Sequence, residues 1–216
     1  MNIINFSPRY PAEFNWRMIE DLILLWTDEG DVVLDPFMGS GVAPVLAEKL
    51  GRKGVGFDIE AGAVETARQR AKQLRVNPIL ERGDARSLPI QDETVDFIIT
   101  SPPYGPQDIL KYGDDPQDIA NLKDYNTFRA ELKKAINEMY RVLKHDKLCT
   151  IIVEDRCRGF FYPLSAFIVV DAIDIGFEPW TIGVRCYWGR PLHPYGPEKK
   201  RRFIPAHEYI LVFRKP

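Results

Sequence analysis

The sequence predicts an α/β fold built on a mostly parallel β-sheet, and three observations support this prediction. Short apolar segments alternate with segments of helical periodicity through the first half of the chain. The predicted strands end on polar residues, namely Asp35, Asp58, Asp84 and Ser101. Residues 180–188 and 208–213 alternate between polar and apolar positions, which is typical of an antiparallel pair. Strands that alternate with helices at this pace favour a parallel sheet covered by helices.

The chain begins with a predicted arm, a helix and the first strand. Residues 1–12 carry Pro8 and Pro11 and are predicted to be an extended arm. Residues 13–26 place apolar side chains at helical spacing, which predicts an amphipathic helix. Residues 32–34 are all apolar, as expected for a strand that helices cover on both faces.

The same periodicities predict the remaining elements. Helices are predicted at residues 42–50, 61–75, 128–143 and 160–175, and strands at residues 54–58, 79–84, 95–100 and 147–153. Gly51 and Gly176 stand where helix C-terminal caps belong. The polar connection at residues 105–125 is long for a compact domain, so it indicates either a functional lid or a surface excursion.

Length and composition are typical of one globular domain, residues 1–216. The 216 residues are 45% hydrophobic, which is enough for a full core. The formal net charge is −2, so any contact with nucleic acid must come from local basic patches. The longest apolar runs are too short to span a bilayer, and no signal-peptide pattern is visible at the start.

The cysteines indicate neither a disulfide framework nor a metal site. Cys149, Cys157 and Cys186 are scattered and odd in number, and no metal-ligand spacing joins them to His193 or His207. We therefore expect a protein of the reducing cytoplasm that binds no metal.

Residues 31–41, DVVLDPFMGSG, predict a cofactor pocket at the end of the first strand. Gly39 and Gly41 allow close approach of the backbone to a ligand, and the following helix directs its free N–H groups at the turn. A dinucleotide fingerprint would need a third glycine where Pro44 stands, so that alternative is disfavoured. Asp35 before the glycines suits a cationic amine such as the aminoacyl end of S-adenosylmethionine. An ordinary strand-to-helix turn remains the alternative.

Residues 101–104, SPPY, follow the apolar strand at 95–100 and form a second candidate site. Pro102 and Pro103 fix their φ angles and donate no backbone hydrogen bonds, so the turn is rigid and presents acceptors. Tyr104 adds a planar aromatic face. Two acceptors beside an aromatic ring suit a flat base that carries an exocyclic amine.

Together the two motifs resemble those of the S-adenosylmethionine-dependent amino-methyltransferases that modify exocyclic amines of nucleic-acid bases. In that family SPP followed by an aromatic residue is typical of N4-cytosine enzymes, whereas other first residues accompany N6-adenine or N2-guanine targets. The resemblance implies a Rossmann-like, seven-stranded, mostly parallel sheet with an antiparallel hairpin at one edge. The chain shows no large inserted segment for target recognition, which leaves DNA, the majority substrate, and structured RNA such as ribosomal RNA both open.

The resemblance also implies roles for individual residues. The catalytic set is Ser101, Pro102, Pro103 and Tyr104. The cofactor set is Asp35, Pro36, Phe37, Gly39, Ser40, Gly41, Asp58, Asp84 and Ala85, with Arg9 and Tyr10 from the arm. A non-catalytic subunit that binds the cofactor is the rival interpretation, and it would not need an intact SPPY turn. A monomer and a homodimer are equally consistent with the sequence.

A basic loop at residues 189–207 is the predicted contact to nucleic acid. Its candidate substrate-binding residues are Arg190, His193, Lys199, Lys200, Arg201 and Arg202. Basic side chains interleaved with aromatic ones suit contacts to phosphates and bases. A solvated loop with a run of charge is the alternative.

Overall fold

A computed structural model of the chain describes residues 15–105, 113, 115–158, 160–187 and 207–216. The predicted arm, with Arg9 and Tyr10, lies outside the described residues, and so do the six predicted substrate contacts of the basic loop. Only part of the predicted lid at 105–125 lies within them.

The centre of the fold is a seven-stranded sheet, as the sequence predicts. Its strands in spatial order are β3 (Ile79–Arg82), β2 (Lys53–Asp58), β1 (Val32–Asp35), β4 (Val95–Thr100), β5 (Leu143–Val153), β9 (His207–Arg214) and β8 (Glu178–Cys186). The first five strands are parallel, whereas β9 runs antiparallel to both of its neighbours. The last strand of the chain is thus inserted between β5 and the edge strand β8, and the predicted fold class is confirmed.

Helices cover both faces of this sheet. They are α1 (Trp16–Trp26), α2 (Val42–Lys49), α3 (Ala61–Leu74), α4 (Tyr125–Val142) and α5 (Leu164–Ile175). Helices α1 and α2 pack on one face, where Ile23 and Leu46 meet Phe97 of β4. Helices α4 and α5 bury the other face together with Leu34 and Ile98.

One predicted element is partly wrong. Residues 160–162 are not the start of a helix but form β7 (Phe160–Tyr162), which pairs antiparallel with β6 (Arg156–Arg158) in a small separate hairpin. Aromatic residues favour strands, and Pro163 cannot donate a helical backbone hydrogen bond, so α5 begins only at Leu164. The predicted helix at 128–143 also begins earlier, at Tyr125, where the Asp124 side chain accepts a hydrogen bond from the Thr127 N–H.

Candidate functional site

A pocket opens where the parallel strands β1 to β4 end. It encloses about 980 Å³, counting the open solvent at its mouth. Its lining comes from residues 36–40 and 42, 58–60 and 63, 83–86, 101–104 and 117–120. Ligands of open α/β sheets bind at this edge, where successive strand ends converge. Eleven predicted site residues line this pocket because the topology of the sheet brings their strand ends together: Pro36, Phe37, Gly39, Ser40, Asp58, Asp84, Ala85, Ser101, Pro102, Pro103 and Tyr104.

The glycine turn after β1 is tied to the end of β2. Gly39 and Gly41 adopt positive φ angles of 50° and 75°, which disfavour side chains with a Cβ. The Gly39 N–H donates to Oδ2 of Asp58 at 2.8 Å, and the Glu60 N–H donates to Oδ1 at 3.0 Å. Burial raises the pKa of Asp58 to about 6, although these two hydrogen bonds act to lower it. Each carboxylate oxygen keeps acceptor capacity for a ligand hydroxyl.

Two predicted cofactor residues, Gly41 and Asp35, do not line the pocket surface. Asp35 is buried at the base of the turn. Its Oδ1 accepts hydrogen bonds from the Thr100 hydroxyl at 2.7 Å and from the Phe37 N–H at 3.1 Å. Its Oδ2 has no hydrogen-bond partner among the described residues. Burial raises the pKa of Asp35 to about 7. An unpartnered buried oxygen of this kind is ready to accept from a bound cation.

The end of β3 carries an ion-pair network rather than a free carboxylate. Arg86 donates through Nη2 to Asp84 at 2.7 Å and through Nη1 to Glu131 at 2.6 Å. Arg86 also donates to the carbonyl of Gln117 at 2.9 Å, which holds the 117–120 segment against the pocket. Burial alone would raise the pKa of Asp84, but hydrogen bonds from Arg86 outweigh it and the pKa is lowered. Asp84 therefore meets a ligand as an ionised, already paired group.

The SPPY turn forms the opposite wall. All four of its residues line the pocket. The hydroxyl oxygens of Ser101 and Tyr104 lie 3.1 Å apart, and either hydroxyl can donate. On the side of β5, the guanidinium carbon of Arg156 lies 4.9 Å from the centroid of the Tyr104 ring. The hydrogen bond from Thr100 to Asp35 joins this turn to the cofactor turn, because Thr100 directly precedes Ser101.

The structure adds lining residues that the motifs do not predict. Glu60 stands at the start of α3 and accepts a hydrogen bond from the Asp115 N–H at 2.9 Å. Asp118 is buried and caps the 3₁₀ turn Ile119–Asn121 by accepting from the Ala120 N–H. Burial also raises the pKa of Asp118. The only sequence signal for this segment is its place in the predicted lid, and residues 117–120 do reach the pocket.

The lining is strongly acidic, which bears on the charge of its ligand. Its carboxylates are Asp58, Glu60, Asp84 and Asp118, and its one described cation, Arg86, is engaged by Asp84 and Glu131. A cleft lined by one sign of charge concentrates ligands of the opposite sign. The apolar side chains of Phe37, Ile59 and Ile119 complete the surface. The pocket therefore suits a ligand that combines a cationic part with a flat apolar part.

Comparison with known proteins identifies the family. The sequence matches the family model for N6 and N4 methyltransferases described as "DNA methylase", over residues 2–69 and 95–216. The chain belongs to this DNA methylase family.

Individual relatives match shorter parts of the chain. The orphan methyltransferase M.BamHII of Bacillus amyloliquefaciens is 42% identical over 81 residues, which cover 38% of this chain and 31% of that protein. A tRNA (guanine(10)-N2)-dimethyltransferase of Methanothermobacter thermautotrophicus is 36% identical over 98 residues, which cover 44% of this chain and 29% of that protein. The matched segments thus span less than a third of the length of these curated relatives.

Solved structures support the fold. A SAM-dependent methyltransferase from Methanosarcina mazei superimposes with a TM-score of 0.63 at 16% identity, covering 90% of this chain and 96% of that one. The PH0226 protein from Pyrococcus horikoshii superimposes with a TM-score of 0.62 at 18% identity, covering 93% and 89%.

The family implies S-adenosylmethionine as the cofactor, and the pocket fits it. The acidic lining complements the positive charges of the sulfonium and amino groups, and beneath it the buried Oδ2 of Asp35 keeps acceptor capacity that no described residue uses. Asp58 stands at the end of the second strand, where acidic residues bind ribose hydroxyls. S-Adenosylmethionine is the cofactor of this DNA methylase family member.

Two further findings concern metals and membranes. Within the described ranges, no group of three or more His, Cys, Asp or Glu side chains is arranged to hold a metal ion. No helix in the described part of the chain combines the length and the apolarity needed to cross a membrane.

Proposed function

We propose that this protein transfers a methyl group from S-adenosylmethionine to the exocyclic N4 amine of cytosine in nucleic acid. One observation carries the proposal: the glycine turn after β1 and the SPPY turn after β4 line a single pocket, and a buried hydrogen bond from Thr100 to Asp35 joins them. A donor held by the first turn therefore faces a base held by the second.

The cofactor side of the pocket holds and orients the donor. The sulfonium of S-adenosylmethionine supplies a methyl group that is already activated for transfer. Asp35 would accept from the amino group through its unpartnered Oδ2, and Asp58 would accept from the ribose hydroxyls. Ile59, Ala85 and Ile119 would pack against the adenine. Arg9 and Tyr10 of the arm remain proposed contacts to the methionine end.

The SPPY turn prepares the target amine. The Ser101 hydroxyl and the Pro102 carbonyl would accept hydrogen bonds from the two N–H groups of the amine. These hydrogen bonds draw the nitrogen lone pair out of conjugation with the ring and toward the methyl group. Tyr104 would stack on the base and fix its plane. Ser101 is a poor base at neutral pH, so the proton leaves to solvent after transfer. Positioning and electrostatics then supply most of the rate enhancement.

The choice of base and polymer rests on the resemblance of SPPY to N4-cytosine motifs. DNA is favoured by the family description, and structured RNA is the second candidate because a tRNA guanine-N2 dimethyltransferase is among the relatives. The deciding experiment incubates the protein with methyl-labelled cofactor and, separately, genomic DNA, ribosomal RNA and tRNA. Nucleoside analysis then distinguishes N4-methylcytosine from N6-methyladenine and N2-methylguanine. Absence of any labelled nucleoside would favour the non-catalytic partner subunit.

Replacing Ser101 tests the catalytic assignment directly. We expect Ser101→Ala to lower the single-turnover rate at least a hundredfold, because one acceptor for the amine protons is lost. Cofactor affinity, measured by calorimetry, should change less than twofold. Ser87→Ala is a matched control, since Ser87 lies outside the pocket lining. Full activity in Ser101→Ala would refute the assignment.

A further inference from the structure

The Tyr104 side chain is contacted both from within the SPPY motif and from a distant hairpin. Its hydroxyl lies 3.1 Å from that of Ser101. Its ring is covered by the guanidinium of Arg156, whose central carbon lies 4.9 Å from the ring centroid. Arg156 is 52 positions away in sequence and belongs to the β6–β7 hairpin. The guanidinium is planar and delocalised, so it stacks on an aromatic face.

The hairpin that carries Arg156 is anchored firmly enough to define this contact. Arg156 pairs in register with Tyr162 on β7. The Tyr162 ring packs on Tyr125 with centroids 4.3 Å apart and on Phe167 with centroids 5.2 Å apart. Just before Arg156, the buried Asp155 accepts a hydrogen bond from the Ser165 N–H at 2.8 Å, which ties the hairpin to the start of α5.

Tyr125 of α4 lies between the hairpin and the chain that follows the SPPY turn. A Cβ on Gly105 would lie 3.1 Å from Cε1 of Tyr125, the same ring that receives Tyr162. The hairpin therefore bounds Tyr104 through Arg156 and is linked through Tyr125 to the residue that follows Tyr104. A tyrosine ring at a pocket mouth would otherwise rotate about its side-chain torsions, and a fixed ring loses less entropy when a base stacks on it.

We propose that Arg156 is a positioning residue for methyl transfer, whose guanidinium packs over the Tyr104 ring and fixes the plane on which the target base stacks. This inference rests on the proposed function. It assigns to the β6–β7 hairpin a role in the substrate side of the site that neither sequence motif contains. Because Arg156 acts through Tyr104, its contribution must disappear when the Tyr104 ring is removed.

A double-mutant cycle tests this dependence. Single-turnover methyl transfer is measured at saturating cofactor and nucleic acid for Arg156→Met, Arg156→Lys, Tyr104→Ala and the combination of Arg156→Met with Tyr104→Ala. We expect Arg156→Met to lower the rate about tenfold, and Arg156→Lys, which keeps the cation but not the plane, about threefold. In the Tyr104→Ala background, Arg156→Met should change the rate less than twofold. Cofactor affinity and the salt slope of nucleic-acid binding should stay at wild-type values.

Arg214→Met is the matched control, because Arg214 also lies over an aromatic ring, that of Trp180, but at the far end of β9. Its rate should equal that of the wild type. Equal losses from Arg156→Met in both backgrounds, or a reduced salt slope, would show an independent contact to phosphate and overturn the inference. If the wild type is active and Arg156→Met is fully active, the positioning role of Arg156 is overturned and the proposed function stands. A wild type that methylates no nucleic acid would overturn the proposed function as well.

Discussion

At the scale of single residues, Asp35 shows how the site is built at the expense of stability. The side chain is buried, one carboxylate oxygen is satisfied by Thr100 and Phe37, and the other has no partner among the described residues. Holding an ionised carboxylate there is unfavourable until a cation binds. The geometry that suits the proposed role of Asp35, accepting from the amine of the cofactor, therefore destabilises the protein when no ligand is bound.

The burial of Asp35 predicts how the effect of Asp35→Asn depends on pH. Burial raises the pKa of Asp35 from 3.8 to about 7 in the folded protein. The protonated carboxyl therefore favours folding below about pH 4, and that contribution is lost as the pH rises to 7. At pH 8 we expect Asp35→Asn to increase the free energy of unfolding by about 1–3 kcal/mol. This is less than the free energy that corresponds to the full pKa shift, because the amide nitrogen of the asparagine stays unpaired. Urea denaturation at pH 4 and pH 8 measures the difference in unfolding free energy between variant and wild type, which should vanish at pH 4. The variant should also lose cofactor binding.

Asp96→Asn is the control with the opposite sign. Asp96 is also buried, which raises its pKa, but hydrogen bonds from Lys144 and from the Val32 N–H outweigh burial and lower it. Its ionised form therefore stabilises the fold above the unfolded pKa, and this contribution is lost as the pH falls. Asp96→Asn should destabilise at pH 8. Destabilisation by Asp35→Asn at pH 8 would contradict the account of Asp35.

At the scale of elements, the position of the glycine turn depends on how closely α2 approaches β2. A Cβ on Gly54 would lie 2.0 Å from the carbonyl oxygen of Pro44, a backbone atom of α2. A Cβ on Gly39 would meet nothing within 4 Å, although its φ of 50° is left-handed. The glycine in the strand thus serves packing, whereas the glycine in the turn serves conformation.

The two glycines should consequently differ in their response to alanine. We expect Gly54→Ala to lower the free energy of unfolding by about 3 kcal/mol or more, since a backbone atom cannot rotate away. Gly39→Ala should lower it by about 1–2 kcal/mol, which is the cost of a left-handed alanine. Thermal and urea unfolding of both variants checks this order. Equal losses would show that α2 shifts to accommodate the added methyl group.

Elements defined by local pattern could be predicted from the sequence, whereas the β6–β7 hairpin and the position of β9 beside β5 could not. Apolar runs bounded by glycine and polar residues placed β1, β2 and β4 within one residue of their ends. The β6–β7 hairpin was not predicted, because its aromatic residues continue into the apolar sequence of α5 and resemble part of that helix. The alternating pattern predicted the antiparallel pair of β8 and β9, but the position of β9 next to β5 depends on pairing over more than 50 residues, which no local signal specifies.

At the scale of the whole molecule, the same distinction applies to the site. Asp58 and the SPPY turn could be predicted because each ends a strand, and the topology collects strand ends. Asp118, Ile119 and Arg156 could not, since their places depend on a connection and a hairpin whose paths are set by tertiary contacts. Motifs identified the two turns that line the pocket, and tertiary packing supplied the residues that surround them.

Charge distribution leads to the last prediction, which concerns nucleic-acid binding. The chain has a net charge of −2, and its described pocket is acidic, so a polyanion must be attracted by a separate basic surface. The sequence offers one in the basic loop, where Lys199, Lys200, Arg201 and Arg202 are consecutive.

Reversing all four charges to glutamate should weaken nucleic-acid binding at least a hundredfold at about 50 mM salt and reduce the salt slope of log K by up to about 4, because each lost phosphate contact removes nearly one unit. Fluorescence anisotropy across a salt series measures both quantities. Lys49→Glu with Lys53→Glu is the control, since both lysines are exposed and neither lines the pocket. Cofactor affinity should be unchanged in both variants, because the acidic pocket attracts its cationic ligand independently of the loop. An unaltered salt slope after the fourfold reversal would assign the basic loop no part in binding.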